Sequence, residues 1–482
     1  MKSISIQKFL SCTATIGILI VSSLSCDRSQ SGKQVLDNWS SSNGNGAIHS
    51  SEITIKDGDT LKAVGDYKNF ELNGKVYTTH EAEASLFFHS DGKSGYEVFF
   101  HNGSIDGTTK TGSLCAVRNL YRSLAGDSTW TDFKIAVKGK NISINISGTE
   151  VVCYTEPEHP YRLPEYASRL LGHGSFVLAG KKGEVRFKDL EVTALPEDAR
   201  NANDTLPAID EQTDSIIRLQ QRGFPVIDYH VHLKGGLTKE QAHAMSMNYG
   251  INYGIAPNAG EGGIGRMLAT DEEVYQYFNE VKPLPFLCGV QGEGRRWSTQ
   301  FSPEALGIFD YLFTDAMTIM DKGVRTRIYR PEEVRLDGRS KEEYMELIVS
   351  QIEKILSFEP ADIYANPTYL PEIMNADYDK YWTDKRIDRV LDVMQKYHIA
   401  LEINPRYKIP SFYIIRKAKA RGMKFTFGTN NENANFGKLE YAIQAIYACG
   451  LTKEDIWFPS MSVRRDRKTV DYNGFKKDAA QK

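Results

Sequence analysis

Two different rhythms of apolar residues divide the chain. Between about Val35 and Leu195, short runs rich in Val, Ile, Phe, Tyr and Thr are cut repeatedly by Gly, Asn and Asp. The run Asn141-Ile-Ser-Ile-Asn-Ile-Ser-Gly148 alternates apolar and polar positions, as a strand with one solvated face does. Gly95-Tyr-Glu-Val-Phe-Phe100 and Trp130-Thr-Asp-Phe-Lys-Ile-Ala-Val137 read the same way, and together these segments predict a sandwich of two antiparallel sheets. From Pro225 the pattern changes to apolar runs that end in polar residues and are separated by helix-length stretches. Such runs occupy 226–232, 253–258, 286–293, 311–315, 362–366, 400–404 and 424–430. Seven strands alternating with helices predict an α/β barrel. The chain is therefore expected to be multidomain: an all-β sandwich over 35–195, a polar, proline-bracketed linker over 196–208, a barrel over 209–463 and a solvated tail over 464–482.

Upstream of the sandwich, Lys2 and Lys8 precede an apolar stretch that leads to Ser23-Leu-Ser-Cys26. The stretch has the form of an export signal and is too short for a convincing membrane span. Residues 27–34 form a polar tether. Six cysteines include Cys12 and Cys26; the remaining four make no CxxC pair, although Cys115 and Cys153 fall in one domain, which leaves a disulfide or two isolated thiols as alternatives. At 482 residues and 41% hydrophobic content the chain can bury two cores. Lys and Arg total 59 against 62 Asp and Glu, evenly spread, so no basic stripe is available to follow a phosphate backbone and nucleic acid is excluded as an expected partner.

The strongest chemical signal is Pro225-Val-Ile-Asp-Tyr-His-Val-His-Leu233. Residues two apart on a strand share a face, so Asp228, His230 and His232 converge at the carboxyl end of a buried strand. That is where an α/β barrel carries its chemistry, and two imidazoles with carboxylates suit a divalent metal. Glu293, Asp315 and Asn430 end later strands and are expected to complete a site for one Zn, Mn or Mg ion with His230 and His232, with Glu293, Glu402 or Asp228 as acid or base. Glu261, Arg295, Arg296, Asn366 and Arg406, at or beside these strand ends, are expected to face a polar or anionic substrate. In the sandwich, Glu97, His101, Arg118 and His173 are the polar candidates for sugar contact, with Tyr96, Tyr121 and Trp130 as rings that could stack on a pyranose.

Three resemblances extend these readings. The signal ending in Cys26 resembles that of bacterial lipoproteins, which implies a lipid-anchored protein of the cell envelope with Cys26 acylated. Asp37-Asn-Trp39, the Gly95-Tyr-Glu97 strand, Trp130-Thr-Asp-Phe-Lys134, the turn Ser147-Gly148 and Gly172-His-Gly174 with Val185-Arg-Phe-Lys-Asp-Leu-Glu-Val192 resemble the 3-keto-disaccharide hydrolase domain, DUF1080. This implies a concanavalin-like jelly roll and action on the glycosidic bond of an oxidised (3-keto) saccharide. Over roughly 209–461, the opening His-x-His and seven βα units resemble the polymerase and histidinol phosphatase (PHP) family, whose distorted barrel binds up to three metals. Asp228, His230, His232, Glu293 and Glu402 match its motifs. Ala256-Pro-Asn258, Asn366-Pro367 and Thr429-Asn-Asn431 stand where the family has histidines or aspartates, which points away from a full phosphatase centre. A PHP-type phosphoesterase with a lectin-like module and a non-catalytic glycan-binding lipoprotein are the alternatives.

Overall fold

The computed structural model describes residues 32–41, 47–49, 51–91, 94–201, 209–260, 265–295 and 297–464. Cys26, Glu261 and Arg296, and with them the lipidation site and one substrate-binding candidate, lie outside the described residues.

The first domain is a sandwich of two antiparallel sheets. One runs in the order Lys33–Val35, Val185–Ala194, Phe70–Thr78, Thr131–Lys138, Asn141–Ile146, Thr149–Thr155, with Glu52–Ile55 also paired to Val185–Ala194. The other runs Ala47–His49, Asn38–Ser41, Thr60–Ala63, Ser175–Lys182, Glu83–Ser90, Tyr96–Phe100. Phe70–Thr78 shows why they stack. Its residues alternate buried and half-buried along the whole strand, and Phe70, Leu72 and Val76 join Phe133, Ile135 and Phe187 in the core. Gly74 is inward on the same strand, where a Cβ would stand 2.5 Å from Leu190 and 2.8 Å from Phe133.

The second domain is a closed barrel of seven parallel strands: Ile227–Val231, Asn252–Ile255, Leu287–Glu293, Tyr311–Thr314, Ile363–Tyr364, Ala400–Ile403 and Phe425–Phe427, the last pairing with the first through Phe427 and Asp228. Their continuous apolar character follows from burial on both faces, inward on the barrel core and outward on helices such as Lys341–Phe358 and Asp384–Lys396. A hairpin, Thr318–Asp321 with Val324–Arg327, is inserted after the fourth strand.

The sandwich docks on the amino-terminal ends of the barrel strands. Arg118 donates to the carbonyls of Met247 and Asn248 at 2.9 Å, the Asn119 backbone N–H donates to Gln220 at 2.8 Å, and the Tyr121 N–H donates to Asn252 at the start of the second strand at 3.2 Å. Arg122 pairs with Asp310, just before the fourth strand, and the buried ring of Tyr121 belongs to the barrel core. The two domains thus share a buried, hydrogen-bonded junction that plugs the floor of the barrel. Its carboxyl-end mouth faces the other way.

This arrangement revises the sandwich candidates. Arg118 is committed to barrel backbone, and Tyr96, Tyr121 and His101 are buried. Glu97, expected to touch sugar, is buried and accepts from Ser85 at 2.5 Å while pairing with Arg169 at 2.5 Å and with Lys181. His173 is exposed, with Nδ1 3.0 Å from both carboxylate oxygens of Asp66. Cys115 and Cys153 are free thiols.

Candidate active site at the barrel mouth

The first barrel strand places Asp228, His230 and His232 on its inner face, as the two-residue spacing requires. They do different things. Asp228 is the deepest, and its carboxylate accepts from the Thr429 N–H at 3.0 Å, the Thr429 hydroxyl at 2.7 Å and the His230 N–H at 3.1 Å. It ties the loop after the seventh strand to the first strand and does not line the mouth, so the expectation of Asp228 as a catalytic acid or base is replaced by a positioning role. Burial raises its pKa to about 6.

A mouth cavity of about 160 Å³ is lined by His232, Lys234, Asn258, Gln291, Glu293, Asp315, Met317, Tyr329, Arg406, Tyr407, Asn430 and Glu432. Five of the predicted residues meet here: His232, Glu293, Asp315, Arg406 and Asn430. His230 and Glu402 stand directly behind them. Asn366 is also behind: its side-chain amide donates to Asp315 at 3.0 Å, its carbonyl oxygen accepts from Asn404 and Asn430, and its backbone N–H donates to Glu402 at 2.8 Å. Arg295, expected to bind substrate, is turned into the protein, paired with Glu359 at 2.9 Å and donating to the Asp315 carbonyl at 3.0 Å.

The hydrogen bonds of the two imidazoles constrain their protons. His232 Nδ1 lies 2.7 Å from the Ala256 carbonyl, which only accepts, so Nδ1 carries the proton and Nε2 offers a lone pair. His230 Nε2 lies 3.1 Å from that lone pair and 3.1 Å from Gln291 Oε1, a second acceptor, because the Gln291 amide donates to Asp315. Two fillings satisfy this geometry. In one, His230 Nε2–H donates and a neutral Glu402 donates to His230 Nδ1, 2.7 Å away. In the other, His230 Nδ1–H donates to an ionised Glu402, which leaves the lone pairs of both Nε2 atoms as donors that would hold a cation if one were bound. The donors at hand for such an ion are the two imidazoles and the amide oxygen of Gln291, with the carboxyl groups of Asp315 and Glu293 lining the same cavity. Among the described residues, no group of three or more His, Cys, Asp or Glu side chains is disposed to hold a metal.

Electrostatics divide the site sharply. Burial raises both Glu293 and Glu402 to about 8. Burial lowers His230 to about 3 and also lowers His232, and burial assisted by Arg406 lowers Lys234 to about 8. Asp315 is raised by burial despite the nearby Arg295. Glu293 lines the cavity and is pushed up to about 8 by burial and by the neighbouring Asp315 carboxyl group, a range suited to general acid or base work. Gln291 and Lys234 were not anticipated; Gln291 follows from the rule that found the histidines, standing two residues before Glu293 on its strand, whereas Lys234 lies beyond the first strand, in the bend after His232, which that rule does not reach.

The sandwich has a relative in sequence. Residues 29–193 match the model of the 3-keto-alpha-glucoside-1,2-lyase-like domain family. No curated protein matches the chain. Among solved structures, the chain is similar to a candidate glycosyl hydrolase from Parabacteroides distasonis, at 13% identity over 34% of this chain and 95% of that one, TM-score 0.30. It is also similar to the carbohydrate-binding module CBM66 from Bacillus subtilis, at 13% identity over 32% of this chain and 96% of that one, TM-score 0.23. These structural likenesses are too distant to bear on function.

Proposed function

We propose that the chain is a carbohydrate-active enzyme that cleaves a glycosidic bond of an oxidised (3-keto) saccharide by base-initiated elimination, with its acid–base groups at the barrel mouth. The observation that carries the proposal is Glu293, a carboxyl group in a polar cavity with its pKa at about 8, backed by the Glu402–His230–His232 chain. The match of residues 29–193 to a 3-keto-glucoside lyase-like family supports the substrate class.

A ketone at C3 acidifies the proton on C2. Ionised Glu293 would take that proton, leaving an enolate that Lys234, Arg406 or Tyr407 can meet with a donated hydrogen bond. The electron pair then expels the C1 oxygen, which leaves as an alcohol after taking a proton from the site. Water added across the resulting double bond would complete a net hydrolysis. This route does not need the two carboxylates at fixed separation of an ordinary glycosidase. One divalent ion (Zn, Mn or Mg), held by His230 and His232, would supply polarisation of the ketone. The PHP likeness of the barrel belongs to this same proposal, as does export with Cys26 as the lipidated residue; among the described residues no helix is long and apolar enough to cross a membrane. A phosphoesterase is the second reading, favoured by Lys234 and Arg406 in one cavity.

The test is turnover of a 3-keto-glucoside and of a phosphate monoester by wild type and Glu293→Gln, together with elemental analysis of wild type and a His230→Ala/His232→Ala double variant. The proposal expects turnover of the keto-glucoside alone, lost in Glu293→Gln. Turnover of the phosphoester alone would replace it by the second reading. One equivalent of metal lost in the double variant would assign the ion; equal metal content in both proteins would remove it.

A further inference from the structure

Elimination at the barrel mouth leaves one proton without a source. Glu293 takes the proton from C2, but the C1 oxygen of an alkyl glycoside is too basic to depart unprotonated, so a second group must donate. That group must line the mouth, still hold a proton once Glu293 has acted as base, and stand beside Glu293, because C1 and C2 are adjacent atoms of one ring. Asp315 fails the second condition: it accepts from the Gln291 amide at 3.1 Å, the Asn366 amide at 3.0 Å and the Met317 N–H at 3.0 Å, which hold it in its acceptor form. Arg406 donates to the Asn430 carbonyl at 3.0 Å and to Glu432 at 3.3 Å, and a guanidinium does not give up its proton. Lys234 and Tyr407 approach from the ends of the first and sixth strands, two and three places round the barrel from the strand of Glu293.

Tyr329 meets all three conditions. It lines the cavity together with Glu293. The third and fourth strands are hydrogen-bonded neighbours with Gly292 opposite Thr314, so the chain that follows the fourth strand stands over the rim next to Glu293. The inserted hairpin returns there. The Ile328 N–H donates to the Met317 carbonyl at 2.8 Å, and the Arg330 N–H closes a turn on the Arg327 carbonyl at 2.9 Å, which fixes the backbone on both sides of Tyr329. The ring packs half-buried against the barrel core, while among the described residues its hydroxyl makes no hydrogen bond. Burial, then the charges of Glu293 and Asp315, raise the phenol, so it keeps its proton until a stronger base such as an alkoxide forms beside it. Tyr407 has an equally unengaged hydroxyl, but the charge it senses first is that of Arg406.

We propose that Tyr329 is the general acid of the reaction, donating its phenolic proton to the C1 oxygen while Glu293 holds the proton taken from C2. The assignment rests on the elimination given under the proposed function. As the enolate reforms the C3 ketone, a double bond forms between C1 and C2, the C1–O bond breaks, and the departing oxygen takes the Tyr329 proton. Water then adds to C1, giving one proton to the Tyr329 phenolate as its oxygen bonds to carbon, and Glu293 returns its proton to C2. Both groups end as they began, and one water is consumed for each glycoside cleaved.

The test compares methyl and 4-nitrophenyl 3-keto-glucosides, because 4-nitrophenolate leaves without protonation and methoxide does not. Tyr329→Phe is expected to slow the methyl glycoside by about 10²-fold or more and the 4-nitrophenyl glycoside by no more than about threefold, with an unchanged melting temperature because the lost hydroxyl has no partner. Exchange of the C2 proton of 3-keto-1,5-anhydroglucitol in deuterium oxide reads the base alone, since this compound has no leaving group. Tyr329→Phe is expected to exchange it like wild type, and Glu293→Gln is expected to lose the exchange. Equal losses on both glycosides with exchange intact, or a loss confined to the methyl glycoside in Tyr407→Phe or Lys234→Met instead, would overturn Tyr329 as the acid. A wild type that neither exchanges nor cleaves would overturn the elimination itself, and the assignment with it.

Discussion

Both domains carry glutamates out of bulk water, and they treat them in opposite ways. In the sandwich, Glu97 loses its water on burial, but Lys181, Ser85 and Arg169 more than compensate and hold its carboxyl below the usual range. At the barrel mouth, Glu293 and Glu402 are desolvated without an equivalent cation in contact and rise to about 8. The first arrangement spends its charge on fixing a structure. The second leaves a proton that can be gained or lost near neutral pH, which is the physical difference between a structural ion pair and an acid–base site.

The comparison breaks most visibly under paired substitution. Glu293→Gln keeps shape and removes the titrating group, so turnover should fall by about 10²–10⁴-fold, the usual worth of a positioned base, with little change in melting temperature. Glu97→Gln should do the reverse. It strands Arg169 in a buried setting and costs about 3 kcal/mol, the low end for a broken buried pair because Lys181 reaches solvent, while turnover at 25 °C persists. Rates and melting curves of the two variants check both halves, and equal loss of turnover in both would erase the contrast.

Much of this was legible in the sequence. All seven barrel strands could be read from apolar runs ending in polar residues, because buried parallel strands need such runs and strand ends need polar caps. The two-residue spacing in Asp228-Tyr-His-Val-His232 correctly put three polar side chains on one face. Depth along that face was not legible. Asp228 is one layer below the mouth and saturated by Thr429, a residue 201 positions away, and no local pattern encodes that contact. The same holds for Arg295, which the sequence puts beside a catalytic strand end but which Glu359 draws inward. Sandwich polar residues misled more often, since Arg118 and Glu97 alternate on strands or turns like solvated residues while their partners lie in distant segments or the other domain.

A smaller effect sharpens the acid–base half. Glu402 has a higher pKa folded, about 8, than its ordinary 4.5, so the folded state keeps a proton that the unfolded chain has released. Its contribution to stability is complete below about 4.5 and is lost as pH rises through about 8. His230 runs the other way: lowered from 6.5 to about 3, it contributes fully above 6.5 and loses that contribution as pH falls through 3. Between pH 6.5 and 8 the histidine contribution is flat, so stability should decline there with Glu293 and Glu402 sharing the slope. Glu402→Gln preserves a donor to His230 Nδ1 and cannot ionise, so it should remove roughly half of that slope in denaturant titrations at pH 6.5, 7.25 and 8. An unchanged slope would mean that Glu402 is already ionised in the folded protein and accepts from His230 Nδ1–H.

The smallest expected effect concerns the sandwich surface. His173 and Asp66 form an ion pair with both side chains largely in water, and such pairs contribute about 0–1 kcal/mol. His173→Ala should therefore leave stability within that range and turnover unchanged. Its value lies in turnover, because His173 is flanked by Gly172 and Gly174, where a ligand can approach the backbone closely. Turnover lost in His173→Ala with an unchanged melting temperature would move the reacting groups from the barrel mouth to the loop entering Ser175–Lys182, on the sheet that carries Glu97.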